Sequence, residues 1–326
     1  MDKQTILLID GDLIGFTIAA AAEKRKIDVK HSPSGIVKQF KNRTEFKNLM
    51  KSKEKEITSD YVITDIQIPD TPAAVERSIN YKLRNLVDLL EADRYEIFVG
   101  GKNNFRDTLP LPAPYKGNRD DSIKPVNLSV AVEHLREKFG AATPDGHEAD
   151  DELSIRAYDI LNRGHRAIIC TLDKDAYQAE GIEVYNWNDE KLTLIDPLGC
   201  IYIDESKVSK PIKGWGLKFF SYQLLYGDDT DNYSPYELSK YSFGSKSAFN
   251  VVKDCTTEQE VLEAVVKTYK LFYPEPISYV AHTGEIVNNA YWKFMLDLYF
   301  KCAYMKRSPN DPSCSIEFFR KRNVEL

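Results

Sequence analysis

Hydrophobic and polar positions alternate along this chain in two rhythms. Thr5 to Ile9 is a short apolar run that stops at Asp10-Gly11-Asp12, the pattern of a buried strand. Leu13 to Lys24 follows as an Ala-rich helix. Thr71 to Glu91 has helical spacing, with Thr71 as N-cap and Pro72 in the first turn. Tyr95 to Val99 predicts a strand stopped by Gly100-Gly101. Helices are expected over Asn127–Phe139 and His147–Arg163, separated by a turn at Thr143-Pro144-Asp145-Gly146. Arg166 to Leu172 predicts a strand ending at Asp173, and Ile182 to Tyr185 another. Lys191–Ile195 and Ile201–Ile203 flank Pro197-Leu198-Gly199 and suggest a hairpin. Residues 25–70 carry mixed charge and give only short, weakly marked elements. Residues 103–125, rich in Pro, Asn and charge, predict a long functional loop.

Strands alternating with helices predict an α/β fold with a mainly parallel sheet flanked by helices. From Gly216 onward the strand pattern stops, and 216–226, 245–252, 257–272 and 285–305 all read as helical. This change suggests two regions, 1–210 and 211–326. The chain length of 326 residues allows either one large domain with an appendage or two domains.

Composition changes this picture little. Hydrophobic residues make up 42% and charged residues 29%, as in ordinary soluble proteins. The net charge of −6 argues against a protein that merely coats nucleic acid. It leaves open an enzyme that gathers carboxylates around cations. The five Cys are scattered and form no CxxC pair, so neither a disulfide framework nor a zinc site is expected. No signal peptide is evident and the apolar stretch 14–22 is too short to cross a bilayer, so a cytoplasmic location with no membrane partner is expected.

The candidate chemistry lies in four acidic groups at the ends of predicted elements: Asp10; Glu148, Asp150 and Asp151; Asp173 and Asp175; Asp228 and Asp231. In a parallel sheet the carboxyl ends of all strands open on one edge, where ligands bind. Glu148 and Asp151, three apart, share a helix face, and Asp228 and Asp231 have the same spacing. Crowded carboxylates do not all stay ionised without a cation. Oxygen donors with few His or Cys favour Mg²⁺ or Mn²⁺ over Zn²⁺. Two such ions suit attack of water on a phosphodiester. Each group alone also has a bland reading, as loop residue, helix cap or turn. Their combination and order make the bland reading improbable.

These residues resemble the flap endonuclease and 5′→3′ exonuclease superfamily, particularly the bacteriophage exonucleases and the 5′-nuclease domain of bacterial DNA polymerase I. Leu7-Leu8-Ile9-Asp10-Gly11 looks like its first-strand motif. Asn104-Phe105-Arg106 with Tyr115-Lys116-Gly117-Asn118-Arg119 looks like its FR…YKxNR segment. Glu148 to Asp151, Asp173 to Asp175 and Gly227 to Asn232 match its EADD, DKD and GDxxDN motifs. The likeness covers roughly residues 1–250.

The resemblance implies a PIN-like core with two metal positions. Asp10, Glu148, Asp150 and Asp151 would serve the first, and Asp173, Asp175, Asp228 and Asp231 the second. It implies that Lys116 and Arg119 approach the scissile phosphate from an arch or loop near 103–125, with Arg106 and Tyr115 on the DNA path. It further implies a helix–two-turn–helix element near 227–252, degraded at Ser242-Phe243-Gly244-Ser245-Lys246-Ser247-Ala248. There Gly244, Ser245, Lys246 and Ser247 would meet DNA phosphates, with a K⁺ ion at the same element. The implied partners are DNA with 5′ ends or flaps and RNA–DNA hybrids, with a monomer favoured. Many relatives carry a further aspartate ligand where this chain has Val99-Gly100-Gly101-Lys102. That departure keeps open an impaired relative that binds branched DNA without cutting it; a PIN-like ribonuclease is a third reading, against which the FR…YKxNR segment and the degraded helix–two-turn–helix element argue.

Overall fold

The computed structural model describes residues 3–119 and 123–326. In chain order the first elements are β1 (Thr5–Asp10), α1 (Gly11–Ala21), β2 (Glu23–His31), β3 (Ile36–Phe40), α2 (Arg43–Ser52), β4 (Tyr61–Pro69), α3 (Pro72–Leu89) and β5 (Arg94–Phe98). Then follow α4 (Leu128–Phe139), α5 (Ala149–Asn162), β6 (Arg166–Cys170), β7 (Glu183–Asn186), β8 (Lys191–Leu194), β9 (Cys200–Ile203) and β10 (Ile212–Trp215). The last elements are α6 (Gly216–Tyr226), α7 (Ser245–Val252), α8 (Glu258–Phe272), β11 (Ile277–Val280), β12 (Ile286–Ala290), α9 (Trp292–Ala303) and α10 (Ser315–Arg320).

Two compact units form. Residues 1–10, 87–122 and 141–326 make the larger, and 11–86 with 123–140 the smaller. Residue 210, where the pattern change suggested a boundary, lies inside the larger unit, between the paired strands β9 and β10.

The larger unit holds a five-stranded sheet in the order β5-β1-β6-β7-β8. The first four strands are parallel, and β8 closes the edge antiparallel to β7. The expected mainly parallel α/β sheet is therefore present. Its interior strand β1 is fully buried from Ile6 to Ile9, where four apolar residues leave no polar side chain to solvate. Helix α5 covers one face, setting Leu153, Ala157 and Ile160 against Ile6, Leu8, Ala167 and Ile169. A second core, dense in Tyr and Phe, joins α6, α8, α9 and α10.

The expected hairpin around Pro197-Leu198-Gly199 does not form. β8 pairs back with β7, and β9 pairs forward with β10. Asn186 makes the first reversal, its side chain accepting from the backbone N–H groups of Asn188 and Asp189. Gly199 instead lets the 197–199 segment cross Trp215, whose carbonyl oxygen would lie 1.8 Å from an added Cβ.

Strands also do not stop at Gly216. The start of the helix expected over 285–305 is strand β12, paired with β11, and the helix begins only at Trp292. The reversal at Ala281–Gly284, with Gly284 at φ +85, sets this hairpin. The five cysteines are free thiols. Among the described residues no helix is long and apolar enough to cross a membrane.

In the smaller unit, residues 25–70 form an antiparallel sheet in the order β3-β2-β4. Glu23 and Lys24, expected at the end of the first helix, begin β2 instead. Helix α2 packs Phe46 and Met50 on Ile27 and Val29 of this sheet. The alternation of apolar and charged residues in β2 is a half-buried strand, hidden in the sequence by its Lys content.

Candidate metal and phosphate site

The acidic groups converge within the larger unit. Strand β1 delivers Asp10 to the carboxyl edge of the sheet, in register with Phe98. Asp10 is buried, and Thr171 Oγ1, one residue past β6, donates to its Oδ2 at 2.7 Å. The Asp173 N–H donates to that same Oγ1 at 3.0 Å, tying the two strand ends together. Asp173 then caps a single 3-10 turn, its Oδ1 accepting from the Asp175 N–H at 2.9 Å.

Helix α5 begins at the same place. Glu148 and Asp151 form a reciprocal cap on its first turn, which aims Asp150 inward. The third contribution is the 228–233 turn after α6. Asp228 and Tyr233 exchange both backbone hydrogen bonds, and Asp228 Oδ1 accepts from the Thr230 N–H at 2.8 Å. Glu148, Asp150, Asp151, Asp173, Asp175 and Asp231 line one small cavity of ≈ 20 Å³. That volume holds about one water-sized species. Oxygens of Asp175, Asp228 and Asp231 lie within 4.8 Å of one another.

The electrostatics follow from this crowding. Burial, with Asp10, Asp173 and Glu148 as neighbours, holds Asp150 well above the carboxylate range. Burial, with Asp175 and Asp10 beside it, pushes Asp173 up to about 7. Asp231 is raised by burial and by Asp175 and Asp228, with Lys116 working against them. Asp228 falls below its ordinary value: burial opposes its charge, but Lys174 outweighs that. Groups strained in this way are relieved by a positive charge placed among them. An all-oxygen donor set fits a hard divalent cation.

Basic side chains meet this surface. Lys116 has φ +56 and points its ammonium at Glu148, with Asp231 Oδ1 3.9 Å away. Burial opposes its charge, yet Glu148 and Asp231 hold Lys116 above the ordinary lysine value. Arg119 Nη2 donates to Asp231 Oδ1 at 2.6 Å. Lys174 pairs with Asp228 and lies 3.3 Å from Asp175 Oδ1.

Three of the residues expected at the site bond within the protein. Asp151, grouped by motif with metal ligands, has its oxygens occupied. Arg106 Nη1 and Nη2 donate to them at 2.6 and 3.1 Å, and the N–H groups of Lys306 and Glu148 at 3.0 and 3.2 Å. Arg106, expected on the DNA path, is only 2% exposed and also donates to the carbonyls of Lys301, Cys302 and Tyr304. Tyr115 is likewise buried, its hydroxyl donating to Asp231 Oδ2 at 2.8 Å and to Glu148 Oε2 at 3.1 Å. Arg106 and Tyr115 thus bond directly to acidic side chains of the cluster.

In the 99–102 segment Gly100 sits at φ +41, where a side chain is strained, and Gly101 has no room for one. An added Cβ there would sit 2.2 Å from the His147 carbonyl oxygen and 3.0 Å from Glu148 Cα. The backbone that launches α5 occupies the space any side chain would need.

Residues 120–122 of the expected arch lie outside the described residues; 105–108 and 117–119 form short 3-10 turns. Helix α7 starts at Ser245, whose Oγ sits 3.0 Å from the Tyr222 hydroxyl. Lys246 is exposed. Gly244 is extended at φ −178, a conformation open to any residue. Thr171, Lys174 and Gln223, which donates to Asp175 Oδ1, were missed as site residues. Lys174 stands between two singled-out aspartates, a signal in plain view. Gln223 sits in an apolar helix and offered none.

No family model matches the chain. A curated 5′-3′ exonuclease from Buchnera aphidicola subsp. Schizaphis graminum (strain Sg) is 30% identical over 141 residues, covering 42% of this chain and 45% of that protein. The chain thus spans about half the length of the curated relative it matches. Among solved structures, the T5 5′-exonuclease with bound divalent zinc overlays at TM-score 0.44 and 15% identity, covering 82% of this chain and 86% of that one. A bacteriophage T5 flap endonuclease, in a pseudo-enzyme–product complex with DNA and metal ions, overlays at TM-score 0.45 and 13% identity over the same shares.

Proposed function

We propose that this chain is a member of the 5′-exonuclease and flap endonuclease superfamily. In this reading it hydrolyses DNA phosphodiesters near a 5′ end with divalent cations, and also cuts RNA primers in hybrids. The observation that carries the reading is the gathering of Asp10, Glu148, Asp150, Asp173, Asp175, Asp228 and Asp231 at one edge of a parallel sheet, with Lys116 and Arg119 against them. The 30% identical relative supports it.

Asp10, Glu148, Asp150 and Asp173 would hold one cation, and Asp175, Asp228 and Asp231 a second. Bound cations supply the activation of water and the stabilisation of attacking and leaving oxygens. The chain's own residues do the rest. Asp151, Arg106 and Tyr115 fix the first turn of α5 and its carboxylates in place. Lys116 and Arg119, held at the acidic edge by Glu148 and Asp231, would offer positive charge to a phosphate seated there and bear part of its developing charge. Gly244 to Ser247, at the start of α7, offer duplex phosphates backbone N–H groups and the Lys246 ammonium, with K⁺ at the same element.

A 5′-flap duplex incubated with Mg²⁺ or Mn²⁺ tests the reading. Short 5′-terminal products are expected, and chelation of the metal stops their release. Lys116→Met is expected to lower kcat by roughly 10²–10³-fold with little change in substrate Kd. Wild-type protein that binds the flap but releases no product would favour the impaired-relative reading. Preferential cutting of single-stranded RNA would favour the ribonuclease.

A further inference from the structure

The chain carries more acid than base, yet residues 24–55 hold eleven Lys or Arg against three Asp or Glu. This segment folds as β2, β3 and α2 of the smaller unit. Only two of those eleven cations, Arg25 and Arg43, make an ion pair among the described residues. Lys24, Lys26, Lys30, Lys38 and Lys41 make none there. A segment so poor in counter-charge is electrostatically unfinished.

The unpaired charge is not spread evenly. Strand β3 ends with Phe40 opposite Ile27, so Lys24, Arg25 and Lys26 of β2 lie beyond it with no strand on that side. The chain instead turns there through Lys41, Asn42 and Arg43 into α2. Between that turn and the edge of β2 opens a cleft of ≈ 330 Å³. Arg25, Lys26, Lys41 and Arg43 line it, and Asp65 is its one acidic residue. Asp65 is already held bidentately by Arg43, its Oδ2 2.6 Å from Nη2. Lys26 Nζ donates only to the neutral Gln39 Oε1, at 2.8 Å. Thr44 and Gln67 add neutral polar groups to the walls.

We propose that this cleft binds phosphate groups of the nucleic-acid backbone. The proposal rests on the nuclease reading and adds to it a second point of contact, on the smaller unit. Ile27, Ile66 and Ile123 complete the walls, but four cations, two without a carboxylate partner, match a polyanion. The walls carry no stacked aromatic pair that would read bases, so the contact is to backbone and independent of sequence.

Neutralising a phosphate contact reduces the dependence of binding on salt, by about 0.9 in the slope of log K against log salt for each contact in a duplex. The test is fluorescence anisotropy of the full chain with a 5′-flap duplex in Ca²⁺ over a salt series. The paired substitution Lys26→Gln and Lys41→Gln is expected to flatten the slope by about two and to weaken binding equally for unrelated sequences. Lys26→Arg with Lys41→Arg is expected to keep the wild-type slope, and kcat at saturating DNA is expected to stay unchanged in both. Wild-type DNA binding whose slope does not move in the Gln variant overturns the cleft and leaves the nuclease reading standing. Wild-type protein that binds no DNA overturns both.

Discussion

Asp173→Asn and Asp175→Asn are each expected to abolish Mg²⁺-dependent cleavage, lowering kcat by roughly a thousandfold or more. Losing a cation ligand removes several kcal/mol of charge stabilisation, and each 1.36 kcal/mol is about tenfold in rate. Both changes keep the local fold. An Asn at 173 still presents an oxygen to the Asp175 N–H, and an Asn at 175 still accepts from Gln223. Removing one of several mutually repelling charges also relieves the metal-free protein. Its melting temperature without metal is therefore expected to stay level or rise, which separates loss of chemistry from loss of fold. Binding of a flap substrate in Ca²⁺ is expected to survive. Wild-type cleavage by both variants would reject the assigned site.

Arg106→Met is expected to cost about 3–5 kcal/mol of stability, the usual penalty for breaking a buried ion pair by removing one partner. The Arg106 guanidinium is enclosed, Asp151 is 1% exposed, and three carbonyls at the C-terminal end of α9 accept from the same guanidinium. Burial alone would disfavour the Asp151 charge, and Arg106 is what holds its carboxyl below the ordinary range. Without the guanidinium an unpaired carboxylate remains beneath the first turn of α5. The double variant Arg106→Met with Asp151→Leu is expected to recover part of the loss, because the stranded charge goes with its partner. Full recovery is not expected, since the Lys306 and Glu148 N–H groups lose their acceptor. Urea denaturation of the single and double variants measures this. An Arg106→Met protein within about 1 kcal/mol of wild type would show that the pair is not structural.

The sheet and the acidic edge were legible for a simple reason. Thr5 to Ile9 and Arg166 to Cys170 are uninterrupted apolar runs ending in polar turns, and buried parallel strands have that form. The carboxylates cluster at those ends, where a parallel sheet opens. Pairing was less legible. Whether Lys191–Leu194 turns back on 183–186 or forward on 200–203 depends on Asn186 and on close approach at Gly199, and local pattern weighs neither. β12 was hidden because Ile286 and Val287 also fit the helical spacing that continues through α9. The Arg106–Asp151 pair was not legible, for a physical cause. A motif gives residue identity and spacing, but the pairing of Asp151 with an enclosed guanidinium is supported by the 301–306 segment, distant in sequence.

Crystals soaked in Mn²⁺ and measured for anomalous scattering test the central claim most directly. Two peaks are expected, one within reach of Asp10, Asp150 and Asp173, the other between Asp175, Asp228 and Asp231. Soaked crystals with no anomalous peak at either position would contradict it.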